Sequence, residues 1–188
     1  MIRPLLASFS LLAVLTGVLY PLAATALASA LFPWRAGGSP LRREGRVAGS
    51  ALIAQATEDP RWFQGRPSPT PGFPTNAAAA AGSTLSGAPL AAAVAERVRA
   101  LQAANPGAGP VPQDLATASG SGLDPHISLD AARWQAPRVA RARGLDPARV
   151  RALAEARARG GLLAGRPLVN VLELNLALDA MDPATRLP

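Results

Sequence analysis

The sequence has no cysteine. That excludes disulfides and thiolate metal sites, and it suits either side of a bacterial membrane. It also has no lysine, so all 19 basic residues are arginine. Without lysine the phosphate-cradling G-x-x-x-x-G-K-[ST] loop cannot occur, and a self-sufficient nucleotidase is not expected. A helper role at another protein's nucleotide stays open. Histidine occurs once, as His126, which excludes a histidine-rich metal site. Aromatic residues make up only 4% of the chain. The last absence is local: no charged residue occurs from Leu5 to Phe32.

That uncharged run, LLASFSLLAVLTGVLYPLAATALASALF, organises the rest. A membrane-spanning helix needs about 20 predominantly apolar residues. The run clears this length, so it is expected to be an N-terminal transmembrane anchor with everything after it on one side of the membrane. Two other readings compete. A cleaved secretory leader could use Ala26, Ala28 and Ala30, but its apolar region is typically about 7–15 residues. A buried core helix of this length would rarely be free of charge. Pro21 is expected to kink the helix. Gly17, Ala23, Ala24 and Thr25 would let a partner helix approach closely. Trp34 suits the headgroup level. Arg3 on one side stands against Arg35, Arg42, Arg43 and Arg46 on the other. This count favours a cytoplasmic C-terminal domain, although long trailing domains are translocated largely regardless of charge.

The chain has 188 residues, a formal charge of +7 and a pI near 11.6. Beyond the anchor there is enough chain for one modest domain with its own core. Residues 1–34 are read as the anchor, 35–49 as a polar linker and 50–188 as an extramembrane domain. The fold expected is α+β. Ser50–Gln55 (SALIAQ) is expected as a strand, and Trp62-Phe63 as core. Residues 68–89, rich in proline, glycine, serine and alanine, form a long loop. Leu90, Val94, Val98 and Leu101 recur at helical spacing, so a helix is expected over Leu90–Ala104, ended by Asn105-Pro106-Gly107. A further helix is expected over Ser128–Ala142, with Ser128 as N-cap and a kink or break near Gln135 caused by Pro137. Asp146-Pro147 starts another, which Gly160-Gly161 stops. Leu168–Asn170 is expected as a short strand leading into a C-terminal helix. No internal repeat is present.

Three clusters invite chemistry. Ser119, Ser121, Asp124 and His126 contain the residue types of a nucleophilic hydrolase. They lack a G-x-S-x-G elbow, and the plainer reading is a glycine-rich turn whose serine and aspartate side chains cap nearby backbone. Arg138, Arg141, Arg143, Arg149, Arg151, Arg157 and Arg159 form a basic tract. A nucleic-acid interface would need one, but a solvated arginine face is the plainer reading in a lysine-free chain. The Gly-Ser run around Ser119 could also cradle a phosphate with its backbone N–H groups.

One ordered set of motifs goes further. It comprises Tyr20-Pro21-Leu22, Gly49-Ser50-Ala51-Leu52-Ile53 with Gln55, Arg66-Pro67-Ser68, Asn105-Pro106, and Val111-Pro112 with Asp114-Leu115. The unbroken run from Thr117 to Ser128 follows, then Gln135 with Pro137-Arg138-Val139-Ala140, Arg143-Gly144, and Val169–Leu172 with Asn175–Asp179. In this order and spacing the chain resembles the C-subunit family of the bacterial Kdp potassium-transporting ATPase, over nearly its whole length. It departs from the family pattern at Ala54, at Ser83-Thr84-Leu85, in the proline-rich loop after Pro67, and in a shortened segment before Gly165.

The resemblance implies a non-catalytic subunit of a four-part pump in the bacterial inner membrane. Its partners would be a potassium-channel-like subunit, a P-type ATPase subunit that handles ATP and Mg, and a small stabilising subunit. The chain would hold no cofactor of its own. The family's soluble domain lies in the periplasm after a single span, which is taken here over the arginine count. The family is also described as a catalytic chaperone that raises the ATP affinity of the ATPase subunit with the help of a glutamine, and Gln135 is the candidate. The absence of lysine excludes the Asp-Lys-Thr-Gly phosphorylation motif of P-type ATPases from this chain. The competing expectations are a membrane-tethered serine hydrolase using Ser119 or Ser121 with His126, and a secreted basic binding protein with a cleaved leader.

Overall fold

The computed structural model describes residues 2–68, 87–160 and 165–181. Most of the loop expected over 68–89, the Ser83-Thr84-Leu85 departure and Gly161 lie outside the described residues. The chain divides into two compact units, Met1–Pro40 and Leu41–Pro188.

The first unit is built on one helix, α1 (Ile2–Leu31), which is 30 residues long and has no buried side chain. At about 1.5 Å per residue it is about 45 Å long, enough to cross the hydrocarbon of a bilayer. Pro21 has no N–H to give to the preceding turn. The helix accommodates it with a π-helical stretch, Leu15–Leu19, closed by Tyr20 N–H donating to the Leu15 carbonyl. Thr16 Oγ1 donates to the Leu12 carbonyl at 2.7 Å, sharing that acceptor within the helix. A four-residue helix, α2 (Pro33–Ala36), follows.

A hairpin follows, β1 (Pro40–Arg43) and β2 (Arg46–Ser50), which belongs to the second unit from Leu41 onward. This corrects the expectation of a linker over 35–49. Glu44 and Gly45 both have positive φ, 50° and 81°, as the tightest hairpin turn requires, and glycine relieves half of that strain. The strand expected over Ser50–Gln55 is displaced as well. β2 ends at Ser50, whose Oγ accepts from Leu52 N–H in a turn. At Gly49 an added Cβ would stand 2.8 Å from Leu172 Cδ2 and 3.0 Å from Gln55 Nε2, so those side chains would have to shift to admit one.

The helices follow in order: α3 (Gly87–Ala104), α4 (Gln113–Ala116), α5 (Leu129–Arg143), α6 (Pro147–Arg157) and α7 (Val171–Met181). Ser128 caps α5 by accepting from Ala131 N–H, and Asp146 caps α6 by accepting from Ala148 N–H. Gly144, with φ 66°, closes α5 in the left-handed conformation. Of the kink or break expected near Gln135, the break does not occur. α5 runs through Pro137 because ten of its residues are buried, and that packing outweighs one missing hydrogen bond. Strands β3 (His126–Ser128), β4 (Arg159–Gly160) and β5 (Pro167–Asn170) form an antiparallel sheet in the order β3-β5-β4. The expected strand-then-helix end of the chain is thus present as β5 and α7.

The core gathers Phe63, Ile127, Val139, Val150, Val169, Leu174 and Leu178 between the sheet and α5, α6 and α7. Trp62 is 1% exposed and Phe63 fully buried, which accounts for that aromatic pair as packing.

Candidate functional site

Residues 59–64 form an irregular segment, buried at Trp62 and Phe63, with no ladder partner of its own. Buried backbone polar groups must still be paired. Two side-chain amides do this. Gln64 N–H donates to Gln135 Oε1 at 2.9 Å, and Gln135 Nε2 donates back to the Gln64 carbonyl at 3.0 Å. One residue earlier, Phe63 N–H donates to Asn175 Oδ1 and Asn175 Nδ2 donates back to the Phe63 carbonyl, both at 2.9 Å. α5 and α7 thus grip adjacent residues of one extended segment, each with a closed two-bond ring.

Two arginines complete the clamp. Arg138 donates to the carbonyls of Pro60 (2.6 Å) and Trp62 (3.1 Å), to Asn105 Oδ1 (3.0 Å) and to Gln135 Oε1 (2.8 Å). Burial pushes its guanidinium down to about 10, against a smaller opposing pull from Asp59. It is still charged at neutral pH. Arg143 donates to the Arg61 carbonyl (2.8 Å) and to Asp179 Oδ1 (3.1 Å), and its guanidinium carbon stands 3.9 Å above the Trp62 ring. Arg43 of β1 places Nη1 2.7 Å from Asp179 Oδ2 as an ion pair. The arginine tract therefore divides. Arg138 and Arg143 are buried, whereas Arg141, Arg149, Arg151, Arg157 and Arg159 are exposed.

The Gly-Ser loop is a second cluster. Ser119 and Ser121 place their hydroxyl oxygens 3.1 Å apart, and Ser121 Oγ accepts from Leu123 N–H. His126 N–H donates to Asp124 Oδ1 at 2.9 Å, and its Nδ1 lies 3.5 Å from the same oxygen. Arg66 donates to Asp124 Oδ2 and to the Ala118 carbonyl, both at 3.2 Å. Burial works to raise the Asp124 carboxyl, but the bonds from His126 and Arg66 outweigh it and hold it below the usual carboxylate range. The carboxylate thus stands beside the imidazole. Among the described residues, however, neither serine is hydrogen-bonded to His126, so the nucleophile–base pair of a hydrolase is not assembled.

An open cleft of about 550 Å³ lies between these clusters, lined by Gln55, Glu58, Gln64, Arg66, Ser68 and Arg97 among others. Among the described residues no group of three His, Asp or Glu side chains could hold a metal. The sequence reading singled out Gln135 but missed Asn175, Asp179 and Asp114. The Asp114 carboxylate is buried and accepts from Ser128 N–H (2.6 Å) and Oγ (3.1 Å). The available signal was spacing. Gln135 and Arg138 fall on the same helical stripe as Ala131 and Ala132, which is a core-facing position for polar residues.

Comparison with known proteins agrees with this architecture. A family model described as "KdpC: K+-transporting ATPase, c chain" matches residues 2–180. A protein of Sorangium cellulosum named potassium-transporting ATPase KdpC subunit is 55% identical over 183 residues, covering 95% of this chain and 96% of the relative. Proteins of the same name from Variovorax paradoxus and Methylibium petroleiphilum are 54% and 53% identical, over 97% of this chain and 97% and 98% of theirs. The long apolar α1 fits a single-pass membrane subunit of a transport complex. With the match running from the first turn of α1 to the last turn of α7, the chain belongs to the KdpC family, the c chain of the K+-transporting ATPase.

Proposed function

We propose that the chain is a non-catalytic accessory subunit of the ATP-driven potassium uptake complex. α1 anchors it in the inner membrane, and the α+β domain docks on the periplasmic side of the potassium-channel-like subunit. There it stabilises assembly with the P-type ATPase subunit and the small stabilising subunit. ATP and Mg are handled by the ATPase subunit, and this chain holds no cofactor of its own. It raises ATP affinity in the ATPase subunit through a coupling free energy carried by the assembly, because a periplasmic domain cannot touch a cytoplasmic nucleotide.

The observation that carries the non-catalytic reading is the employment of the reactive side chains. The two serines bond each other, His126 is turned to Asp124, and Gln135 is closed on Gln64. Such a domain offers partners a rigid surface. The test is to purify the other three subunits with and without this chain. Without it, recovery of the assembled complex is expected to fall and the apparent KM for ATP to rise. Unchanged assembly and unchanged KM would overturn the proposal. Proteolysis of intact spheroplasts checks the side: cleavage from outside is expected, and protection until lysis would contradict it.

A nucleotide-related role for Gln135 is the second reading, favoured by one observation: its partner Gln64 lines the 550 Å³ cleft. It requires binding of labelled ATP to the detergent-solubilised full chain that Gln135→Ala abolishes while the fold persists.

A further inference from the structure

We propose that the β1–β2 hairpin is a second membrane attachment, in which Arg42, Val47 and Leu52 rest on an anionic lipid headgroup surface. The proposal depends on α1 spanning the bilayer.

Exposure supplies the first observation. Beyond residue 36, Val47 (59% exposed) and Leu52 (61%) are the exposed large apolar side chains among the described residues. Both belong to the hairpin or to the turn that follows it. A domain that buries its other large apolar groups leaves these two uncovered within 21 residues of the end of the apolar helix.

Charge is the second. Arg35, Arg42 and Arg46 are exposed, and among the described residues none has a carboxylate partner. Arg42 reaches only the Gly45 carbonyl, whereas its neighbour Arg43 is paired with Asp179. The two-residue turn Glu44-Gly45 sets Arg42 opposite Val47 across the hairpin, so a cation and an apolar group share one face.

The chain path is the third. Trp34 Nε1 donates to the Pro40 carbonyl at 3.0 Å, and Ser39 N–H donates to the Trp34 carbonyl at 2.9 Å. The first residue of β1 is therefore tied to a tryptophan, the residue type that settles at the headgroup level. A strand advances about 3.3 Å per residue, so the whole hairpin extends at most about 13 Å from that tie. Arg42, two residues past the tie, stands at most about 7 Å from it, inside the Debye length of about 8 Å at physiological ionic strength, so its cation lies within reach of the surface potential. Arginine guanidinium groups bind lipid phosphate bidentately, and an apolar pair inserted between headgroups adds attraction that salt does not screen. Because the hairpin is tethered, even weak contacts are populated.

The chain has no native cysteine, so one introduced cysteine gives a unique label. The full chain carrying Val47→Cys with a fluorophore is placed in nanodiscs of brominated phosphatidylcholine, with or without phosphatidylglycerol. Labels at Ala24→Cys and Arg151→Cys report the span and an unrelated surface. Expected is quenching at position 47 that needs phosphatidylglycerol and fades with salt. Arg42→Gln should weaken it about fivefold, Arg46→Gln on the opposite face of the hairpin should weaken it less, and position 151 should stay unquenched. Quenching at 24 with none at 47 overturns the proposal and leaves the anchor intact. No quenching at 24 removes the anchor and the proposal together. Shielding of 47 only when partner subunits are added, or only as chain concentration rises, assigns the face to protein and also overturns it.

Discussion

At the scale of single residues, Gln135 and Asn175 take the place of a neighbouring strand. Each satisfies both backbone groups of one residue, buried Phe63 for Asn175 and half-buried Gln64 for Gln135. Gln135→Ala strands the Gln64 N–H and carbonyl and removes an acceptor from buried Arg138. The expected loss is about 2–4 kcal/mol in chemical denaturation. Asn175→Ala should cost a similar amount. The double variant should lose less than the sum, because either deletion frees the same segment; strict additivity would mean the two grips are independent. Asp124 supplies a pH test. Its folded carboxyl is held below the ordinary value, so its contribution is fully present above the unfolded value near 4 and is lost as pH falls through the folded value. Asp124→Asn should therefore be less stable at neutral pH and show a flatter decline below about pH 4. Much of this scale was illegible in the sequence. Arg138 and Arg143 read like the exposed arginines around them, because nothing in composition reveals that an irregular segment elsewhere needs donors. Gln135 stood out only through a family resemblance. The structure supplies a physical reason for it: a carboxamide is both donor and acceptor, as one residue of backbone is.

At the scale of elements, caps and punctuation carried most of the information. Ser128, Asp146 and the strand-to-helix switch at Asn170 were visible in advance because each obeys a local rule. One element was misjudged and one read in part. The arginine-rich stretch after the anchor looked like a linker, but Glu44-Gly45 turns it into a hairpin and Arg43 is fixed by Asp179 from α7. Pro137 pointed to a kink or a break, and tertiary burial holds α5 continuous without the break. These observations set different expectations for similar substitutions. Ser128→Ala removes a cap and leaves the buried Asp114 carboxylate short of a donor, so it should cost about 2–3 kcal/mol. Asp146→Ala removes an exposed cap and should cost about 1 kcal/mol. Equal losses by thermal denaturation would contradict the role given to Asp114. Pro137→Ala restores a donor inside α5 and should stabilise the domain by about 1 kcal/mol or more. A destabilisation would show that the proline ring is itself a packing element.

At the scale of the whole molecule, an apolar helix and a well-tied α+β domain form two units of one chain that matches the KdpC family almost end to end. The span was the most legible feature of the sequence, because length and absence of charge are sufficient to see it. The domain's function was legible only as a family property, since the side chains that look reactive serve as internal ties. The most direct measurement of that claim is potassium-stimulated ATP hydrolysis by the purified, fully assembled complex carrying His126→Ala together with Ser119→Ala. A docking subunit should leave the rate per assembled complex within about twofold of wild type, with any loss confined to yield or thermal stability. A fall of about a thousandfold or more in complexes that remain assembled would mean that these groups act in the chemistry, and would contradict the non-catalytic role.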